Sequence, residues 1–161
     1  MAQHICANDD EPDHQPDDAI ALLTADHRQV RALFQQYADT PDPYLRQIIA
    51  EHVFAELALH TLLEETVFYP AVAEQADEEG KQLGEAALQD HQQLRELIET
   101  LQEIDNDTAF EASFHRLKEH VEQHVEEEET TLFPQAAQVL APHWEEITVL
   151  LQERKAQILA S

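Results

Sequence analysis

The chain has 161 residues, of which 43% are apolar, enough for a single domain with one sizeable core. Its 34 Asp and Glu outnumber its 9 Lys and Arg, and the formal net charge of −25 argues against nucleic acids and anionic membrane surfaces as partners. The 2 glycines and the 1 cysteine argue against a glycine-rich nucleotide loop and against a disulfide framework. The 10 histidines, in contrast, outnumber the lysines and arginines together.

The sequence also bears on location. Its first 18 residues lack the basic start and apolar run of a secretion signal, and no later stretch reaches the roughly 18 uncharged apolar residues of a membrane span. We therefore expect a cytoplasmic protein with no membrane partner. The oligomeric state stays open, with a monomer favoured.

Residues 1–16 are polar and acidic and contain Pro12 and Pro16, which predicts a disordered tail. Cys6 and His14 would then lie in the tail and have no role. Asp17 follows as the expected N-cap of the first helix.

Four long amphipathic helices are predicted from apolar residues at helical spacing. The first helix is predicted to run from residue 18 to about residue 38, and the third from about 79 to 104. The second is a long helix with apolar positions from Ile49 to Val67 that Pro70 should kink, and the fourth runs from a cap at Asp107 to at least Leu132. Short polar connections favour antiparallel neighbours, so the prediction is an all-α, up-down-up-down four-helix bundle over residues 17–141.

Residues 142–161 are predicted to form a shorter capping helix that follows Pro142. It would close one end of the bundle with four apolar side chains, Trp144, Ile147, Leu150 and Leu151.

The two predicted hairpins repeat with an offset of 64 residues, and polar as well as apolar positions coincide. The matching pairs are Asp26-His27 with Asp90-His91, Arg31 with Arg95, His60 with His124, Glu64-Glu65 with Glu128-Glu129, Thr66 with Thr130, and Pro70 with Pro134. Each hairpin thus places a His on its first helix and a His-x-x-x-Glu-Glu motif on its second.

A His and a Glu four residues apart lie on one face of a helix. His60 with Glu64 and His124 with Glu128 can each supply a nitrogen and an oxygen to one centre, and His27 and His91 add two further imidazoles. Buried carboxylates need a positive partner, and the chain has few basic residues, so a metal centre is predicted. Four imidazoles and two shared carboxylates exceed the needs of one tetrahedral zinc but suit two iron or manganese ions.

These residues resemble the hemerythrin-like family, in its HHE cation-binding branch, over about residues 18–140. The resemblance implies a four-helix bundle around a non-haem di-iron centre with an oxo or hydroxo bridge, manganese or zinc being less favoured. Matched to the family's motif, the ligands would be His27, His60, Glu64, His91, His124 and Glu128, with the two glutamates as bridges.

Respiratory hemerythrins use a fifth histidine and an aspartate in the second hairpin, whereas this chain offers Glu128. Four His and two Glu are more similar to the iron–sulfur-repair and iron-sensing members, although the repair proteins usually carry an additional domain with a cysteine pair and this chain has only Cys6. The leading expectation is binding or reduction of dioxygen, nitric oxide or peroxide. The alternatives are an iron sensor, store or repair-type iron donor without turnover, and a structural zinc bundle, and whether the protein is an enzyme stays open.

Other polar residues lie near the predicted site. His120 is a candidate fifth imidazole, but its repeat equivalent is Glu56, which favours positions around the ligands or at the entrance for both. Asp26 and Asp90 are candidates to accept a ring N–H from a ligand histidine on an adjacent helix. The remaining residues are assigned to packing or to the surface: Tyr69, His52, His115 and His143.

Overall fold

The structure, a computed structural model, describes residues 18–161, so the predicted tail, with Cys6 and His14, lies outside the described residues. The described part is helical apart from short connections, and it contains no strand. Its α-helices are α1 (Ala19–Asp39), α2 (Pro43–Leu63), α3 (Tyr69–Gln75), α4 (Glu78–Gln102), α5 (Asp107–Glu127), α6 (Phe133–Leu140) and α7 (Trp144–Ala160).

Each of the helices α1, α2, α4 and α5 is preceded by a residue whose side-chain oxygen accepts a backbone N–H of the first turn, which satisfies a donor that the helix cannot pair internally. These caps are Asp18, Asp42, Asp77 and Asn106. The predicted caps Asp17 and Asp107 are wrong by one residue, in opposite directions. Asn106, for example, accepts the N–H of Ala109 at 2.9 Å, and Asp107 is already helical.

The kink predicted at Pro70 takes the form of a π-helical turn, Glu64–Phe68, that joins α2 to α3. The Tyr69 N–H donates to the Glu64 carbonyl, five residues back instead of four. The Thr66 hydroxyl donates to the carbonyl of residue 62 at 2.7 Å. A widened turn accommodates the proline, which has no N–H and whose ring clashes with the carbonyl four residues earlier.

The second hairpin repeats this turn at Glu128–Leu132, between α5 and α6. The Phe133 N–H donates to the Glu128 carbonyl, and the Thr130 hydroxyl donates to the carbonyl of residue 126 at 2.6 Å. The repeated Thr and Pro of the sequence therefore serve the backbone, and the Glu that opens each turn is a candidate ligand.

The helices form two hairpins, in which α1 packs on α2 and α4 packs on α5. Helices α3 and α6 pack on each other, and α3 also packs on α4. The predicted four-helix bundle with an additional C-terminal helix is therefore confirmed. Buried apolar side chains form two clusters. One contains Val30, Leu57, Leu94 and Val125 and fills the half of the bundle with the 40–42 and 103–106 connections. The other contains Leu23, Phe68 and Leu132 and includes the buried side of α7.

Helix α7 packs on α1, α2 and the first π-helical turn. Ile147 and Leu151 are buried as predicted, but Leu150 is 45% exposed, so its assignment to the core is wrong. Residue 150 is one helical position before Leu151 and therefore points about 100° away from the packed face. No helix in the described part of the chain is long and apolar enough to cross a membrane.

Candidate metal centre

The six predicted ligands lie together in a layer between the two apolar clusters, and all six are buried. They come from four helices and from the first residue of each π-helical turn. Their side chains form two overlapping groups in which one donor atom from each residue lies within 4.8 Å of the others: Glu64, His91, His124 and Glu128 in one, and His27, His60 and Glu128 in the other.

The first hairpin contributes a pair of imidazoles whose Nε2 atoms face each other. The Nε2 atoms of His27 and His60 are 3.1 Å apart. His60 Nε2 lies 3.0 Å from Glu64 Oε1, and His27 Nε2 lies 3.5 Å from Glu128 Oε1. The glutamate of the other hairpin thus reaches across to this pair.

The second hairpin repeats the arrangement. The Nε2 atoms of His91 and His124 are 3.2 Å apart, His124 Nε2 lies 2.8 Å from Glu128 Oε1, and His91 Nε2 lies 3.3 Å from Glu64 Oε1. Each glutamate therefore contacts one imidazole of its own hairpin and one of the other. The two facing nitrogens of each hairpin are close enough that both would hold the same ion.

Every one of the four rings has a carboxylate on its outer nitrogen, Nδ1. The contacts join His27 to Glu129 at 3.1 Å, His60 to Asp26 at 3.0 Å, His91 to Glu65 at 3.2 Å and His124 to Asp90 at 3.5 Å. A carboxylate can only accept, so each Nδ1 carries the proton, and Nε2 is the atom offered to the centre.

These outer contacts also connect the bundle into a ring. They link α1 to α2, the turn after α2 to α4, α4 to α5, and the turn after α5 back to α1. Asp26 and Asp90 each contact a histidine on the adjacent helix, the position considered for them from sequence. Glu65 and Glu129 were not assigned this role, although the second Glu of each repeated Glu-Glu pair was the signal for it. Arg95 holds Glu65 in place with a guanidinium contact at 2.9 Å.

Three of the four carboxylate oxygens that face the centre accept no hydrogen bond when the Nε2 atoms beside them carry no proton. Both oxygens of Glu64 and Oε1 of Glu128 are buried without a hydrogen bond. Removing a carboxylate from water costs several kcal/mol unless a charge or donor replaces the lost hydration. Unpaired oxygens that converge with four imidazole nitrogens are what a bound cation would satisfy, so the donor set fits a metal.

In the metal-free protein, protons take the place of that cation. Burial alone would lower the pKa of His60, but the Glu64 carboxylate outweighs burial and raises it well above its ordinary value. Burial is likewise outweighed at His124, where hydrogen bonding to Glu128 raises the pKa to about 10. Burial raises the pKa of Glu64, but the charge of His60 outweighs burial, so the net effect is a lowered pKa. The pKa of Glu128 is also lowered, because hydrogen bonding to His124 outweighs burial and the charge of Glu64. Two protonated imidazoles thus balance two ionised carboxylates.

Tyr69, assigned to packing from sequence, lies at the centre. Its hydroxyl donates to Glu128 Oε2 at 3.2 Å and lies 3.1 Å from His91 Nε2. Burial and the neighbouring carboxylates raise its pKa, so the phenol stays protonated. Its repeat equivalent is Phe133, which stacks on His27 with a centroid distance of 5.7 Å and therefore offers no donor. The two halves of the centre consequently differ in polarity.

The structure places the other candidates outside the two groups. His120 Nε2 donates to the backbone carbonyl of Asp90 at 3.3 Å, and Glu56 lies 3.5 Å from the half-exposed His52. His115 contacts a neighbouring surface glutamate, and His143 is exposed. Among the four glutamates of residues 126–129, Glu128 alone is fully buried.

Comparison with known proteins gives the family and the fold of this chain. The family model described as "Hemerythrin HHE cation binding domain" matches residues 18–136. An uncharacterized hemerythrin-like protein of Schizosaccharomyces pombe is 30% identical over 105 residues, a match that covers 65% of this chain and 52% of that protein, so the chain spans about half the length of its curated relative. The crystal structure of a hemerythrin HHE cation binding domain-containing protein from Mycobacterium kansasii has the same fold, with a TM-score of 0.75, 21% identity, and coverage of 87% of this chain and 86% of that one. The chain belongs to the hemerythrin HHE cation-binding domain family.

Proposed function

We propose that the protein holds two iron ions in this layer and that the pair binds or reduces dioxygen, nitric oxide or peroxide. The observation that carries the proposal is the set of unpaired, buried carboxylate oxygens of Glu64 and Glu128 between four inward-facing imidazole nitrogens. Iron pairs change oxidation state and keep coordination positions open to small ligands, which is the chemistry this donor set would support.

The proposed ligand sets follow the contacts of the structure. His27 and His60 would hold one ion, and His91 and His124 the other. Glu64 and Glu128 would bridge them, because each contacts an imidazole of both hairpins. The carboxylates on the four Nδ1 atoms would fix ring orientation and the protonated tautomer.

The surrounding side chains would control the ligand. The apolar clusters above and below the layer exclude water, which strengthens electrostatic interactions inside it. Tyr69 stays protonated and is the one hydroxyl donor placed among the described ligand atoms, so it would donate a hydrogen bond to a ligand with negative character.

The direct test uses iron-loaded protein, reduced without oxygen and then exposed separately to dioxygen, nitric oxide and peroxide. The proposal requires that at least one of the three ligands changes the visible spectrum, and that this ligand binds in a fixed ratio to the iron pair. An unchanged spectrum with all three would refute it. Asp42→Asn, which alters a helix cap away from the centre, serves as a control that should behave like the original protein.

An iron sensor or store is a second candidate, because the six proposed ligands come from both hairpins and a bound metal would tie them together. Occupancy would then control bundle stability, through binding to the folded state only. A large increase in melting temperature on iron loading, together with no spectral response to the three ligands, would favour this candidate over ligand binding.

A further inference from the structure

The two hairpins repeat the ligands but not the surfaces that cover them. Between α4 and α5 lies a cavity of about 110 Å³ whose lining includes His124 and Glu128. A larger groove of about 550 Å³ between α2 and α4 touches none of the six proposed ligands, and the Glu65–Arg95 ion pair lies along it. The smaller cavity is thus the one that reaches the centre.

The equivalent face of the first hairpin lies under α7. Leu22, Leu63 and Val67 belong to the same packed cluster as Ile147 and Leu151 of that helix. The Lys155 ammonium of α7 also lies 3.6 Å from Asp26 Oδ1, while the other oxygen of Asp26 contacts the His60 imidazole.

The sequence differs accordingly at the matching positions. Where the first hairpin has Leu22, Leu63 and Val67, the second has Ala86, Glu127 and Thr131, all three of which are exposed and line the cavity. Asp90 is 28% exposed against 13% for its equivalent Asp26. Large apolar side chains are present where α7 covers the bundle, and small or polar ones where nothing in the described part of the chain does.

We infer that small neutral molecules reach the centre through the cavity between α4 and α5, and that α7 closes the equivalent path between α1 and α2. This inference rests on the proposed function, since it concerns access to a metal-loaded centre. A molecule that passes Ala86 and Thr131 arrives at the His91–His124 half of the layer, where Tyr69 supplies a hydroxyl.

The charges at the mouth select among small molecules. Asp90 and Glu127 line the cavity, and Glu128 lies at its inner end. Carboxylates in a narrow passage of a strongly acidic protein repel anions and leave neutral diatomics unaffected. Dioxygen and nitric oxide therefore fit the passage better than anionic ligands such as azide.

The test compares two variants in each of which an exposed alanine is replaced by tryptophan. Ala86→Trp adds an indole at the mouth of the cavity, and Ala58→Trp adds one in the larger groove between α2 and α4, both at exposed helical positions. Nitric oxide is mixed with the reduced, iron-loaded protein in a stopped-flow spectrometer. For Ala86→Trp, we expect association and dissociation rates to fall together by about tenfold, with the equilibrium constant unchanged, because the path and not the centre is altered. Ala58→Trp should change neither rate.

Two kinetic results would overturn the inference: slower binding in Ala58→Trp, or unchanged rates in Ala86→Trp. Thr131→Trp, on the opposite wall of the cavity, repeats the test if Ala86→Trp does not fold. Absence of any nitric oxide signal in the original protein would count against the proposed function instead. Metal-free crystals under xenon pressure then test the path separately, since xenon should occupy the α4–α5 cavity and be lost from it in Ala86→Trp. Xenon absent from this cavity in the original protein would refute the path.

Discussion

Metal binding should release about two protons per centre at neutral pH. In the metal-free protein, carboxylates that accept from His60 and His124 keep both imidazoles protonated, with the pKa of His124 raised to about 10 and that of His60 well above its ordinary value. A metal ion needs the Nε2 lone pair of each ring, so both protons must leave. Glu64 and Glu128 are already ionised, since their pKa values are lowered, and contribute none.

The count sets the pH dependence of metal affinity. Loss of two protons means that the association constant rises about 100-fold per pH unit, as long as both rings are protonated before binding. Titration calorimetry with Co²⁺ in buffers of different ionisation enthalpy gives the proton number directly. His115→Gln should leave it unchanged, because His115 is on the surface and 67% exposed. A release of less than about one proton would show that the imidazoles are neutral before binding or that the metal binds elsewhere.

Three further outcomes follow. Metal-free protein should be most stable between pH 4.5 and 6.5. The raised pKa values of His60 and His124 add stability that is lost as pH rises from 6.5 towards 10, and the lowered pKa values of Glu64 and Glu128 add stability that is lost as pH falls below 4.5. Melting curves in which stability rose steadily to pH 9 would contradict this prediction. Asp26→Asn should weaken metal affinity by about 10- to 100-fold by removing the carboxylate from His60 Nδ1, whereas an unchanged affinity would show that this contact does not support the ligand. Leu117→Ala, at a fully buried core position, should cost about 2–5 kcal/mol of unfolding free energy in urea, against less than about 0.5 kcal/mol for Leu88→Ala, which is 43% exposed; equal costs would refute the packing described for the bundle.

The bundle and the position of the six candidate ligands were accessible from sequence because two independent periodicities coincide. Helical spacing puts His60 and Glu64 on one face, and the 64-residue repeat shows that His124 and Glu128 do the same. The structure brings these side chains together with His27 and His91 in one buried layer. Their ligation of a metal stays a prediction.

The π-helical turns could not be predicted from the same signals. Pro70 predicts a kink. Whether the helix bends there or forms a widened turn depends on which donors pair with the displaced backbone carbonyls. Here the Thr66 hydroxyl and the Tyr69 N–H provide them. The turn also shifts the residues that follow it, which is why Tyr69 faces the centre instead of packing at the kink.

The carboxylates that contact the Nδ1 atoms of the histidines could be predicted from the sequence only in part. A sequence repeat shows that Glu65 and Glu129 recur, but it does not show which neighbouring helix each one faces. The position of α7 depends on differences between the two repeats, for example Leu63 in the first hairpin and Glu127 in the second. A search for similar residues does not detect such differences.

Diffraction from crystals of iron-loaded protein, with anomalous data collected at the iron absorption edge, tests the central claim most directly. The account predicts two anomalous peaks between the side chains of His27, His60, Glu64, His91, His124 and Glu128, with one beside each pair of Nε2 atoms. No peak in this layer, or iron bound only at surface carboxylates, would contradict it.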